Sequence, residues 1–185
     1  VEESDEEVVR RMFDINFWGL MDVTNAVLPY MREKKFGHII NFSSIGGLAS
    51  FPALGYYHAT KYAVEGISES LSQELAPYNI NVSLIEPGPF RTDWAGRSSE
   101  KTQSELYQET AGQNIEDTIG SQGQEPGDPE KAAEAIVSVV EANEPPLRLL
   151  LGKVAYDTAT QKFSNLLEDI EEWKNITIGA DYLID

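Results

Sequence analysis

Residues 37–66, GHIINFSSIGGLASFPALGYYHATKYAVEG, join a short apolar run to a helix through a loop of serines and glycines. His38-Ile39-Ile40-Asn41-Phe42 is continuously apolar in character rather than alternating, the pattern of a strand covered on both faces in a parallel sheet. A loop is predicted over 43–55 and a helix over 56–75, ended by Pro77. Downstream, residues 80–85 form a second such strand closed by Pro87-Gly88-Pro89, and residues 147–151 a third. Asp128-Pro129 opens the helix between them, with Asp as N-cap and Pro in the first turn, and Ala133, Ile136, Val137 and Val140 as its expected inner stripe. A last helix carries Tyr156, Ala159, Phe163, Leu166, Leu167, Ile170 and Trp173 at helical spacing. Upstream, Ser4-Asp5-Glu6-Glu7 reads as a capping box led by Ser4. The helix it starts has apolar residues on more than one face and is expected to be heavily buried, with a kink or frayed end at Pro29. Helix, strand, helix, strand, loop, helix, strand, helix is the α/β class, with three predicted parallel strands and flanking helices in one domain over 1–185. Residues 91–127 are rich in Gln, Ser, Thr, Glu and Gly and read as a mobile lid, fastest to open over 98–124.

The chain has 185 residues, 14 Lys+Arg and 31 Asp+Glu, a net charge of −17 and no cysteine. The absence of cysteine excludes disulfides and thiolate metal sites, and two histidines far apart make no metal centre. The acidic balance argues against nucleic acid and anionic membranes as partners, since both need clustered Lys and Arg. No apolar run is long enough to span a bilayer and no secretory leader is recognisable, so the expectation is a cytoplasmic protein. Residues 1–85 carry a net charge of −5 and residues 86–185 of −12, which marks 37–85 as the core and the remainder as solvated surface.

Tyr57 and Lys61 stand four apart on one helix face. A phenol titrates near 10, and both an ammonium within reach and the positive end of a helix favour its ionised form, so this pairing suits acid–base chemistry. Ser44 follows a buried strand directly, at the carboxyl end where open α/β sheets place their ligands. Asn16 stands mid-helix, where its amide needs partners. Pro87-Gly88 ends the next strand at the same edge, with Thr92 four residues beyond Gly88.

These residues, in DINFWG, GHIINFSSIGG, YHATKYAVEG and EPGPFRT, follow one another at spacings that resemble the short-chain dehydrogenase/reductase family, in its single-domain, shorter-chain branch. The resemblance covers about residues 5–92. It implies the C-terminal part of a doubly wound Rossmann-like sheet and an NAD(P)-dependent oxidoreductase interconverting an alcohol and a carbonyl on a small or medium molecule. Tyr57 is then the general acid/base. Lys61 lowers its pKa and holds the nicotinamide ribose, Ser44 orients the substrate, and Asn16 holds a water linking Lys61 to solvent. Pro87, Gly88 and Thr92 line the nicotinamide side, with Phe90 and Trp94 as pocket walls under the lid. Homo-oligomerisation through the helices over 4–31 and 56–75 is the family's habit. His58, beside Tyr57, is given no role, because successive helix residues point apart.

The strand, Gly-rich turn and Asn-Asn-Ala-Gly stretch that the resemblance places before the first helix are not in this sequence, and Val1 stands almost at a helix cap. The expectation is therefore an incomplete NAD or NADP site in the downstream part of a longer reading frame. The alternative is a catalytically incompetent relative that acts only as a dimerising module.

Overall fold

A computed structural model describes residues 1–95 and 104–182. Three parallel strands form one sheet in the order β1 (Gly37–Phe42), β2 (Ile80–Pro87), β3 (Arg148–Leu151). Gly37 pairs with Ile80 and Phe42 with Ile85, while Leu84 pairs with Arg148 and Pro87 with Leu151. Both crossovers contain helices, so all three strands end at one edge, as the sequence pattern predicts. The chain enters through α1 (Glu6–Phe13), a π-turn at Asp14–Trp18 and α2 (Gly19–Lys34). Helix α3 (Gly55–Leu75) joins β1 to β2. Helices α4 (Gln113–Gly120) and α5 (Pro129–Glu141) lie between β2 and β3, and α6 (Lys153–Glu172) and α7 (Lys174–Ile178) follow.

The centre of the molecule is where the quiet stretch of sequence places it. Ile39, Ile80 and Val82 of the sheet pack on Leu71 and Leu75 of α3, with Leu28 and Met31 of α2 closing the cluster. A second cluster joins Ile45, after β1, to Ala155 and Ala159 of α6.

Several local expectations are corrected. The first cap is Asp5 and not Ser4: its carboxylate accepts from the N–H groups of Glu7 at 2.8 Å and Val8 at 3.2 Å, which starts the helix one residue later. That helix is not heavily buried. No residue of α1 is buried, Thr24 is the buried residue of α2, and Ile15, Trp18, Val23 and Tyr30 are exposed. Helix α2 passes through Pro29 to Lys34 and ends at Lys35, whose φ of 49° is left-handed. The inner stripe of α5 is displaced by one residue, because Val139 is buried while Val137 and Val140 face out. On α6 only Ala155 and Ala159 are buried, and Phe163, Leu166, Leu167, Ile170 and the following Trp173 are exposed. Helical spacing locates an apolar stripe but not what covers it.

The lid region contains α4, and its ends meet where Phe90 bridges Gly127 and the Arg91 N–H donates to the Gly127 carbonyl at 3.0 Å. The stretch 98–124 expected to open fastest lies partly outside the described residues.

Candidate active site

The end of β1 sets the site. Ser43 continues the ladder, its N–H donating to Ile85 O at 2.9 Å, and Ser44 then caps a short 3₁₀ turn at Ile45–Gly47. The Ser44 hydroxyl accepts from the Gly46 N–H at 3.0 Å and reaches the Pro87 carbonyl at 3.5 Å, linking the ends of β1 and β2. The loop over 44–51 is then fastened to α3. Tyr62 donates to Leu48 O at 2.7 Å, and His58 is held between the Gly46 carbonyl and the Phe51 N–H at 2.9 Å each. Gly46 lies so close to the helix that a Cβ there would stand 2.7 Å from His58 Nδ1 and 3.1 Å from Tyr57 Cε1.

Tyr57 is in the first turn of α3 and turns towards Ser44 and Trp94, whose ring centroid is 5.6 Å from its own. Lys61 Nζ lies 5.8 Å from the Tyr57 ring centroid and donates to Phe42 O at 2.9 Å. Burial pushes the Tyr57 phenol above its ordinary value, the Ser44 hydroxyl opposing. Burial pulls the Lys61 ammonium down, with the charge of Glu65 holding it up. The expected lowering of the Tyr57 pKa is therefore reversed: desolvation outweighs the groups around it.

Asn16, within the π-turn, donates to Thr60 Oγ1 at 3.1 Å, and Thr60 donates on to Tyr57 O at 2.7 Å. Asn16 thus braces the turn of α3 that carries Tyr57. Among the cofactor candidates, Pro87 meets Ser44 through its carbonyl. Gly88 donates to Leu151 O at 3.0 Å and is packed against α6, where a Cβ would stand 3.0 Å from Ala155 N. The Thr92 hydroxyl accepts from the Trp94 N–H at 3.3 Å. Phe90 is not brought to Tyr57; its ring lies against Gly127 and Gly152 and closes the base of the lid.

The profile of the short chain dehydrogenase family matches residues 1–103. The chain belongs to this family. An oxidoreductase of Botryotinia fuckeliana is 39% identical over 181 residues, covering 97% of this chain and 66% of its own length. A short-chain dehydrogenase from Streptomyces avermitilis superposes with a TM-score of 0.87 at 36% identity, over 97% of this chain and 65% of that one. A serine dehydrogenase solved with NADP+ is 28% identical with a TM-score of 0.63, over 81% of this chain and 57% of that one. The chain therefore spans about two thirds or less of the length of these relatives.

Two features of this short-chain dehydrogenase escape a sequence reading. One is His58. Its neighbours fix the neutral ring: Nε2 accepts from Phe51 N–H, so Nδ1–H donates to Gly46 O. Burial lowers its pKa from 6.5, and protonation would cost the bond to Phe51. The unfolded chain therefore takes up this proton first, and stability falls as pH drops below about 6.5. Urea unfolding between about pH 7 and 5 is expected to show a smaller loss in His58→Gln than in the wild type; equal losses would assign the acid limb to other groups. The other feature is a cluster of carboxyl groups behind the serine loop. Its signal in the sequence is an acid, Glu86, at the end of a strand in which it is the one charged residue.

Proposed function

We propose that the chain carries the catalytic residues of an NAD(P)-dependent oxidoreductase that interconverts an alcohol and a carbonyl on a small or medium organic molecule. The observation that carries this reading is the meeting of Tyr57, Ser44 and Lys61 at the carboxyl edge of β1 and β2. In the reductive direction the Tyr57 hydroxyl gives its proton to the substrate oxygen, which Ser44 orients. Lys61 keeps a positive charge beside the phenolate that forms. A raised phenol pKa suits the proton-donating form, and Trp94 walls the space over the Tyr57 ring.

The donors at this edge fit the ribose of a nicotinamide cofactor. A lysine ammonium has three N–H groups, and Lys61 donates one of them to Phe42. Lys61 and Tyr57 would hold the ribose hydroxyls, with Thr92 at the carboxamide side. When bound, the cofactor supplies or accepts the hydride. The NADP+ in the serine dehydrogenase supports this cofactor class. Exposed Ile15, Trp18, Val23 and Tyr30 on the first helices and Tyr62 on α3 support pairing of two copies through those helices.

The test is turnover of a panel of aliphatic and aromatic carbonyls with NADH and NADPH, on the full-length product of the reading frame that carries this chain, its mass in solution measured by sedimentation. Cofactor oxidation that depends on the carbonyl, by a dimer or larger assembly, is expected. A monomer that oxidises neither cofactor with any carbonyl would refute the reading.

A further inference from the structure

Glu86, the penultimate residue of β2, is 1% exposed, and Glu65, one helical turn beyond Lys61 on α3, is 5% exposed. They meet behind the serine loop. Gly47 closes the space: a Cβ there would lie 2.5 Å from Ser43 Oγ and 2.9 Å from Glu65 Cγ. Arg148, at the start of β3, reaches in from the rim. Its Nε is 3.1 Å from Glu65 Oε2 and 3.5 Å from Glu86 Oε1, and its outer nitrogen is 2.6 Å from Glu69 Oε2.

The cluster does not balance with every carboxyl ionised. Glu69 is half exposed at the rim, which leaves, among the groups paired directly with Arg148, two buried carboxylates against one guanidinium. Both oxygens of Glu86, Oε1 of Glu65 and the Ser43 hydroxyl have no hydrogen-bond partner among the described residues. Ionised carboxylates only accept, so two of them cannot satisfy one another. One proton changes this. A carboxylic acid at Glu86 can donate to Glu65, and the buried trio becomes electrically neutral.

We propose that Glu65 and Glu86 share one proton and, capped by Arg148, act as a positioning unit for the reaction, keeping Lys61 charged and the Ser44 turn seated against β2. This rests on the oxidoreductase reading, in which Lys61 and Ser44 serve Tyr57. The charge of Glu65 supports the Lys61 ammonium against burial. Burial first, then Glu65, push the Glu86 carboxyl up to about 8, with Arg148 opposing. Among the described residues, the charged groups that act on Glu86 directly are Glu65 of α3 and Arg148 of β3; one contact further out, Glu69 pairs with Arg148 and Lys61 faces Glu65.

The sign of the pH effect follows. Between the ordinary 4.5 and about 8 the folded chain holds a proton at Glu86 that the unfolded chain releases. The stability it contributes is complete below 4.5 and is lost as pH rises through about 8. Thermal unfolding of the wild type and Glu86→Gln across this range is expected to show the difference shifting steadily in favour of the variant as pH rises. A second measurement is the infrared band of a protonated carboxyl in the wild type, disappearing near pH 8, expected to be kept by Glu69→Gln and absent from Glu86→Gln. The third is the pH profile of kcat. Glu86→Gln is expected to lose the alkaline limb near pH 8. Glu65→Gln is expected to lower kcat several-fold with little change in the carbonyl KM. A difference in stability that is flat with pH, with no protonated-carboxyl band, would overturn the shared proton, even if Tyr57 and Lys61 prove essential. An unaltered kcat profile in both variants would overturn the positioning role. Absence of turnover in the wild type, with the band and the stability shift present, would instead refute the oxidoreductase reading and remove the positioning role with it.

Discussion

Tyr57→Phe is expected to lower carbonyl turnover by about 10²–10⁴-fold, the usual contribution of a positioned general acid. The substitution removes one oxygen and leaves the ring against Trp94 and Gly46, so the fold has no reason to change. The neighbouring phenol is the control. Tyr56 lines a cleft with Val9, Phe13 and Trp18 on the other side of the helix start, away from Ser44. Tyr56→Phe is expected to alter kcat less than about 2-fold, far below the effect of losing a general acid. Steady-state kinetics on both variants make the comparison, and similar losses would contradict the assignment of the proton to Tyr57.

The second large effect concerns the sheet. Leu84 is fully buried in the middle of β2, paired with Asn41 on one side and Arg148 on the other. Leu84→Ala leaves a cavity on the covered face of the sheet, and the expected loss is about 2–5 kcal/mol. Leu167 of α6 belongs to a stripe of the same apparent strength in the sequence, yet it is 67% exposed. Leu167→Ala is expected to stay within about 0.5 kcal/mol. Urea titration of the two variants separates them by midpoint, and equal losses would mean that the stripe of α6 is covered in solution.

The strands, the helix carrying Tyr57 and Lys61, and the Asp128 cap were legible because each depends on residues close in sequence. An apolar run bounded by Gly and Pro, or an Asp before a Pro, fixes local backbone whatever surrounds it. The placing of Ser44 at a strand end and of Tyr57 and Lys61 on one helix was legible for a related reason: the end of a buried strand and one face of a helix are defined by order along the chain. Periodicity said nothing of neighbours, and so the first helix was expected to be heavily buried, although no residue of α1 is.

What the sequence by itself determined is the α/β class, three parallel strands in one sheet, and the placing of Ser44, Tyr57 and Lys61 at one edge of it. Only the tertiary structure decided how that chemistry is tuned. His58 joins Gly46 to Phe51, Asn16 reaches Thr60 across 44 positions, and Glu65 and Glu86 are 21 apart in the chain. Burial raises the Tyr57 phenol although Lys61 and a helix start are beside it. The protonation of a buried group depends on how much water the fold removes and which distant charges it brings near, and neither quantity is local to the chain.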